Sequence, residues 1–148
     1  MMMRMLVLEN CAKECELQQS GEMSVFNMMQ AYNLVISADA TYEPINTDLI
    51  LQIGYLVEPV KNSFGYRAMN VKKRNKTPIG IDYKLVPHAM DNLISAWAEL
   101  LPQEWYNEFE AIHPFADGNG RVGNILFNWR NGTLMRPIIP TLTIRVVD

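Results

Sequence analysis

Apolar positions recur at helical spacing through most of this chain and lose that spacing in two places. Residues 4–18 set Met5, Leu8, Ala12 and Cys15 on one side of a first helix. Residues 24–38 carry a wider stripe, Val25, Met28, Met29, Tyr32, Val35 and Ile36, with Ser24 placed to cap it. A third helix over "NTDLILQIGYLVEP" starts at Asn46 or Thr47 and stops near Pro59. After Pro87 the spacing returns, with Met90, Leu93, Ile94, Trp97 and Leu101 on one face. Pro102 opens the next helix, "PQEWYNEFEAI". That helix runs into His113 and stops, because Pro114 disfavours helical geometry in the residue before it. A last helix restarts near Gly120 and ends at Asn131–Gly132.

The first interruption is "FGYRAMNVKKRNKTPIGIDYKLVP", rich in glycine, proline and β-branched residues. Phe64–Val71 and Ile79–Val86 around the polar "KKRNKT" turn suit a β-hairpin or extended flap. The tail "LMRPIIPTLTIRVV" reads as extended or strand-like. The chain is therefore mostly α with one short hairpin, and nothing divides it: residues 1–148 hold no internal repeat and no linker-like tract.

Composition changes this picture little. Apolar residues make up 49% and charged residues 20%, ordinary for a globular domain. A net charge of -3 and a pI near 5.4 argue against nucleic acid as a partner. No apolar run is long enough to span a bilayer, so no membrane partner is expected. The opening "MMMRMLVLEN" runs straight into Glu9, Lys13, Glu14 and Glu16, unlike a secretory signal, and a cytoplasmic protein is the expectation. Cys11 and Cys15 share a helical face, where a disulfide does not close readily. Two reduced, partly buried thiols are expected, with the ten methionines as adaptable core filler.

The second interruption, "IHPFADGNGRVGN", concentrates the chemistry. Gly118, Asn119 and Gly120 lead into a helix, and consecutive uncrowded N–H groups at the positive end of a helix dipole form an anion cradle. Arg121 can add a charge-assisted contact to a phosphate. Asp117 beside that nest makes sense when a divalent cation sits between carboxylate and phosphate. His113, held rigid by Pro114, is a base that titrates near neutrality, and Phe115 should be buried. Taken singly, each has a plainer reading: a turn, a cap, a structural histidine, a solvated arginine. Together they fit a magnesium-nucleotide site.

"HPFADGNGR" resembles the signature of the Fic domain, His-Pro-Phe-x-Asp/Glu-Gly-Asn-Gly-Arg-x-x-Arg, at every specified place but the last. The resemblance covers roughly residues 45–140. It implies a mostly α, Fic-type helical bundle with a short β-hairpin flap over the active-site loop. It also implies transfer of AMP from ATP, or of another nucleoside monophosphate, to a Ser, Thr or Tyr hydroxyl of a target protein. His113 would then be the general base and Asp117 the magnesium ligand. Gly118, Asn119 and Gly120 would stabilise charge at the α-phosphate, and Arg121 would bind the leaving pyrophosphate. Tyr66, Met69, Val71, Thr77 and Ile79 would line the flap that docks the target by strand addition. The "KKRNK" run beside them reads as a solvated turn.

The final signature arginine, which in the family grips the γ-phosphate, is Asn124 here. Losing such a contact costs about 1.5–3 kcal/mol. The alternatives it raises are poor use of ATP, a different donor such as CDP-choline, or a fold that binds nucleotide or partner with little turnover. Arg130 or Arg136 could reach in instead. Relatives that phosphorylate their targets carry lysine at the position of Gly120, so the glycine favours nucleotidyl transfer. No good copy of the family's inhibitory Ser/Thr-x-x-x-Glu-Gly/Asn motif occurs; "SAWAEL" at 95–100 ends in Leu. A separate inhibitor protein, or the toxin role in a toxin–antitoxin pair, would be compatible with that.

Overall fold

The computed structural model describes residues 2–141. Six α-helices carry the fold: α1 (Met2–Leu17), α2 (Glu22–Ala40), α3 (Thr47–Val57), α4 (Val86–Ser95), α5 (Pro102–Ile112) and α6 (Asn119–Asn131). Between α3 and α4 lie two short strands, β1 (Val71–Lys72) and β2 (Pro78–Ile79), and one 3-10 turn, Tyr83–Leu85. The strands pair antiparallel, with Val71 opposite Ile79 and Lys72 opposite Pro78.

The central element is α6. It packs on α1, α2, α3 and α5, and residues 119–128 are all buried. A helix buried all round is usually apolar throughout. This one carries Asn119, Arg121, Asn124 and Asn128 inside, so each needs an internal partner. Asn128 shows how: its side chain donates to the Asn124 and Ile138 carbonyls and accepts from the Ile138 amide and the Thr133 hydroxyl. The segment after α6 is thereby tied back onto the helix. Around α6, Trp105 and Phe109 of α5, Ile50 and Ile53 of α3, and Met28, Tyr32 and Val35 of α2 complete the core.

Local chemistry sets several boundaries where the pattern predicts them. Asn46 caps α3 by accepting from the Leu49 amide at 2.8 Å. Pro102 starts α5, and Gly132 ends α6 in the left-handed region. Other expectations need correction. The buried face of α1 is Val7, Asn10, Cys11, Glu14 and Cys15, whereas Met5 is 58% exposed and Leu8 and Ala12 also face outward. This orientation sets Asn10 against Asn124 of α6, a buried polar pair that an apolar stripe does not reveal. Both cysteines are fully buried free thiols, and burial, with Cys15 and Glu14 nearby, pushes Cys11 up to about 12. Helix α2 begins at Glu22 behind Gly21, so Ser24 is inside it and caps nothing. The hairpin is far shorter than Phe64–Val86, since Tyr83–Leu85 turns directly into α4. Helix α4 stops at Ser95, which leaves Leu101 66% exposed rather than on its face. Residues 134–141 form no strand, and the rest of the expected extended tail lies outside the described residues. Among the described residues no helix is long and apolar enough to cross a membrane.

Candidate active site

Helix α5 ends in a way that turns its last residue toward a cleft. His113 is its C-cap, at φ 54° and ψ 63°, a left-handed conformation that non-glycine residues rarely adopt. Such strain persists where surroundings over-determine it, and here they do. The Arg67 amide donates to the Pro114 carbonyl at 3.0 Å, and Arg67 Nε donates to the His113 carbonyl at 2.7 Å. Phe115, fully buried, sits directly against Gly54 of α3, where a Cβ would lie 2.3 Å from its ring. Asn119 closes the loop by accepting from the Phe115 amide at 2.8 Å and donating to the Phe115 carbonyl at 2.9 Å. Gly118, at φ 80°, faces Val57 so closely that a Cβ would come within 2.7 Å. The motif loop is thus a rigid link between α5 and α6.

The cleft beside it has a volume of about 430 Å³ and is bounded by His113, residues 116–121, Glu58 and Lys61, and by the turn after α1. The amides of Asn119, Gly120 and Arg121 form the first turn of α6 and have no intrahelical acceptor, so they supply the positive helix end. The Gly118 amide is already used, donating to Asp117 Oδ1 at 2.7 Å. Gln18 covers part of this end: its carboxamide lies where a Cβ on Gly120 would meet it at 2.5 Å.

Burial sets the protonation of the base. His113 is 4% exposed, and desolvation, reinforced by the Arg67 charge and opposed by Asp117, lowers it to about 4. It is therefore a neutral imidazole at physiological pH, with a free lone pair, although the same burial weakens it as a base. Its Nδ1 has no hydrogen-bond partner among the described residues. Burial pushes the Asp117 carboxyl up, but the Lys61 hydrogen bond, the Gly118 amide and the Arg121 charge outweigh it and hold the group below its ordinary value. Asp117 Oδ2 meets Lys61 Nζ at 2.9 Å and Oδ1 lies 3.5 Å from Arg121. Arg121 is 2% exposed, not solvated, and also reaches Glu58 at 3.4 Å, with its Nε unpartnered.

The structure brings His113, Asp117, Gly118, Asn119, Gly120 and Arg121 to one cleft, as the sequence suggests. Asn124 is the correction. It is fully buried one turn deeper in α6, where its Oδ1 accepts from Asn10 at 2.8 Å and from the Tyr32 hydroxyl at 2.7 Å. It does not line the cleft, its side chain being engaged inside the bundle. Arg130 cannot stand in, because it donates to the Trp97 and Leu100 carbonyls at 2.8 and 2.9 Å. The flap residues divide. Met69 and Thr77 are exposed and Val71 is half-buried, but Ile79 is buried and the Tyr66 ring packs on Phe115 with centroids 5.6 Å apart. Tyr66 and Ile79 therefore fasten the flap rather than present side chains to a partner.

Several site residues are not legible in the sequence. Arg67 joins the flap to the end of α5, donating to the carbonyls of Met69, Ile81, Ile112 and His113. Asn62 donates to the Gly54 and Asp117 carbonyls and clamps the 59–65 loop beside the motif. Glu58, Lys61 and Gln18 complete the cleft.

Among the described residues no group of three or more His, Cys, Asp or Glu could cage a metal. Asp117 and Glu58 are the carboxylates of this cleft, and Asp117 is the one next to the helix terminus. That donor set fits magnesium, which is held by one or two carboxylates with phosphate oxygens and waters completing its shell. It does not fit a closed structural site.

Comparison with known proteins extends this geometry. The model of the Fic/DOC family matches residues 44–130, more than half the chain. The crystal structure of a Fic domain containing signaling protein from Bacteroides thetaiotaomicron aligns with a TM-score of 0.56 and 20% sequence identity. The alignment covers 75% of this chain and 49% of that one, so this chain spans about half its length. At that identity the likeness is one of fold. No curated protein matches the chain.

Proposed function

We propose, since this chain belongs to the Fic/DOC family, that it transfers a nucleoside monophosphate, AMP from ATP in the first instance, to a hydroxyl side chain of a target protein. The family generally transfers nucleotide or similar groups to proteins. The observation that carries the finer reading is a buried, uncharged His113 sharing one cleft with the free amides of α6.

In this reading the donor's phosphates rest on the Asn119, Gly120 and Arg121 amides, whose dipoles already point at the developing charge. The target segment lies along the hairpin, using backbone pairing with Met69, Thr77 and Val71 near it. Gly80 and Ile81 sit against the end of α5, the Ile81 amide 3.4 Å from the Ile112 carbonyl, which brings a docked hydroxyl past His113. His113 takes the hydroxyl proton as the oxygen bonds to the α-phosphorus; the bond from that phosphorus to the β-phosphate oxygen breaks and pyrophosphate leaves. Asp117 would hold magnesium, which would supply charge neutralisation for the phosphates when bound. Arg121, buried between Glu58 and Asp117, fixes the helix terminus and adds its charge to the positive field there.

The test incubates the chain with magnesium, a cell lysate and ATP labelled at the α- or the γ-phosphate, beside a His113→Ala control. Protein label from the α-phosphate alone, lost in the control, is the expected result. Label from the γ-phosphate alone means phosphorylation instead, and label that survives His113→Ala removes the histidine from its role. A second reading, a nucleotide-binding member with little turnover, draws on Gln18 lying over Gly120 and on Asn124 being withheld from the cleft. Binding of magnesium-ATP with no labelled product from either phosphate would favour it.

A further inference from the structure

The charges that line the cleft are Glu58, Asp117, Lys61 and Arg121, two of each sign. A magnesium-triphosphate adds net negative charge, so a cation must be free to receive it. Arg121 is not free in that sense: its buried guanidinium is held between Glu58 and Asp117 and by the Val57 carbonyl. Arg130 is spent on backbone carbonyls elsewhere. Lys61 differs. Its side chain is 61% exposed, and its ammonium contacts Asp117 Oδ2 at 2.9 Å. An exposed pair of this kind is weak and exchanges readily.

The backbone beneath Lys61 is nevertheless fixed. Asn62, 1% exposed, donates to the Asp117 carbonyl at 2.9 Å and to the Gly54 carbonyl at 3.0 Å. Lys61 therefore projects from a point held against the motif loop while its four-carbon stem stays mobile, the form in which lysine serves as a movable point charge. If Asp117 held a metal ion, the Lys61 ammonium would lose its carboxylate partner and be available to an anion in the cleft.

We propose that Lys61 is a donor-binding residue that grips the phosphates beyond the first, a role resting on the transfer reaction proposed above. The α6 amides face one phosphate, and among the described residues Lys61 is the cleft's remaining cation for the others.

The test is calorimetric binding, with magnesium, of α,β-methylene ATP, which cannot be cleaved at the reacting bond, and of AMP. The chain and its Lys61→Met and Lys61→Arg variants are compared. Lys61→Met keeps the stem and removes the charge. It should weaken the triphosphate about tenfold or more and AMP less than about twofold, with Lys61→Arg recovering most of the loss. Unchanged triphosphate binding in Lys61→Met overturns the proposal and leaves the transfer reading intact. Equal weakening of both ligands also overturns it, since Lys61 would then act only by holding Asp117. If the unmodified chain binds neither ligand, the transfer reading falls and this inference with it.

Discussion

Replacing Arg67 with methionine should cost this protein about 3 kcal/mol and shift the titration of His113 at the same time. The guanidinium is almost fully buried, and two of its four acceptors, the carbonyls of Ile112 and His113, end α5. Terminal helix carbonyls have no intrahelical donor, and a cation is their favoured partner. The other two acceptors, on Met69 and Ile81, lie nearer solvent, where water can replace the lost bonds. The His113 carbonyl loses its Arg67 donor and the Ile112 carbonyl keeps only the Ile81 amide at 3.4 Å, a loss of about 1–3 kcal/mol at each. Against this, the substitution relieves the desolvation of a buried charge, seen in the lowering of the Arg67 pKa by burial. The balance is about 3 kcal/mol of lost stability. With a urea slope of about 1.5 kcal/mol per molar, the midpoint falls by about 2 M at unchanged slope. Arg67→Lys, with one point of attachment for several acceptors, should recover less than half. Removing the positive charge also lets His113 rise above about 4, so the acid limb of any activity profile moves to higher pH. A loss below about 1 kcal/mol for Arg67→Met would refute the reasoning, because the α5 terminus would then be held by something else.

Acid should destabilise the chain through His113. Its folded value, near 4, lies below the usual 6.5 of the unfolded chain, so the unfolded state alone binds the proton between those values. Stability is full above pH 6.5 and falls by about 3 kcal/mol on descending to pH 4; equal pH slopes in unfolding for the chain and His113→Asn would exclude this. Gly54→Ala sets a methyl 2.3 Å from the Phe115 ring. Overpacking of about 1–3 kcal/mol or more outweighs the ~1 kcal/mol gained in helix propensity, so the melting temperature should drop by several degrees. An unchanged melting temperature would mean that Phe115 moves aside at no cost. Gln18→Ala uncovers Gly120, and AMP should bind about threefold more tightly by calorimetry; weaker binding would make Gln18 a ligand rather than a cover.

What the sequence determined by itself is local. Pro114 ends α5 at Ile112 with His113 as its cap, Gly118 permits the left-handed turn that redirects the chain, and Phe115 is the apolar residue between them that must go inside. These follow from backbone sterics and burial acting within a few residues, so the motif loop, its cradle and its base are readable in order. What tertiary structure decided are the partners of buried polar groups. Asn124 meets Asn10 across 114 positions, and Lys61 meets Asp117 across 56. No periodicity marks such pairs, because a buried amide is stabilised by another polar group wherever the fold supplies one. The same pairing appears on α1: its inner face holds Asn10 and Glu14, which a search for apolar stripes assigns to solvent. It also withheld Asn124 from the cleft, for an asparagine with its hydrogen bonds satisfied inside gains nothing by facing a phosphate outside.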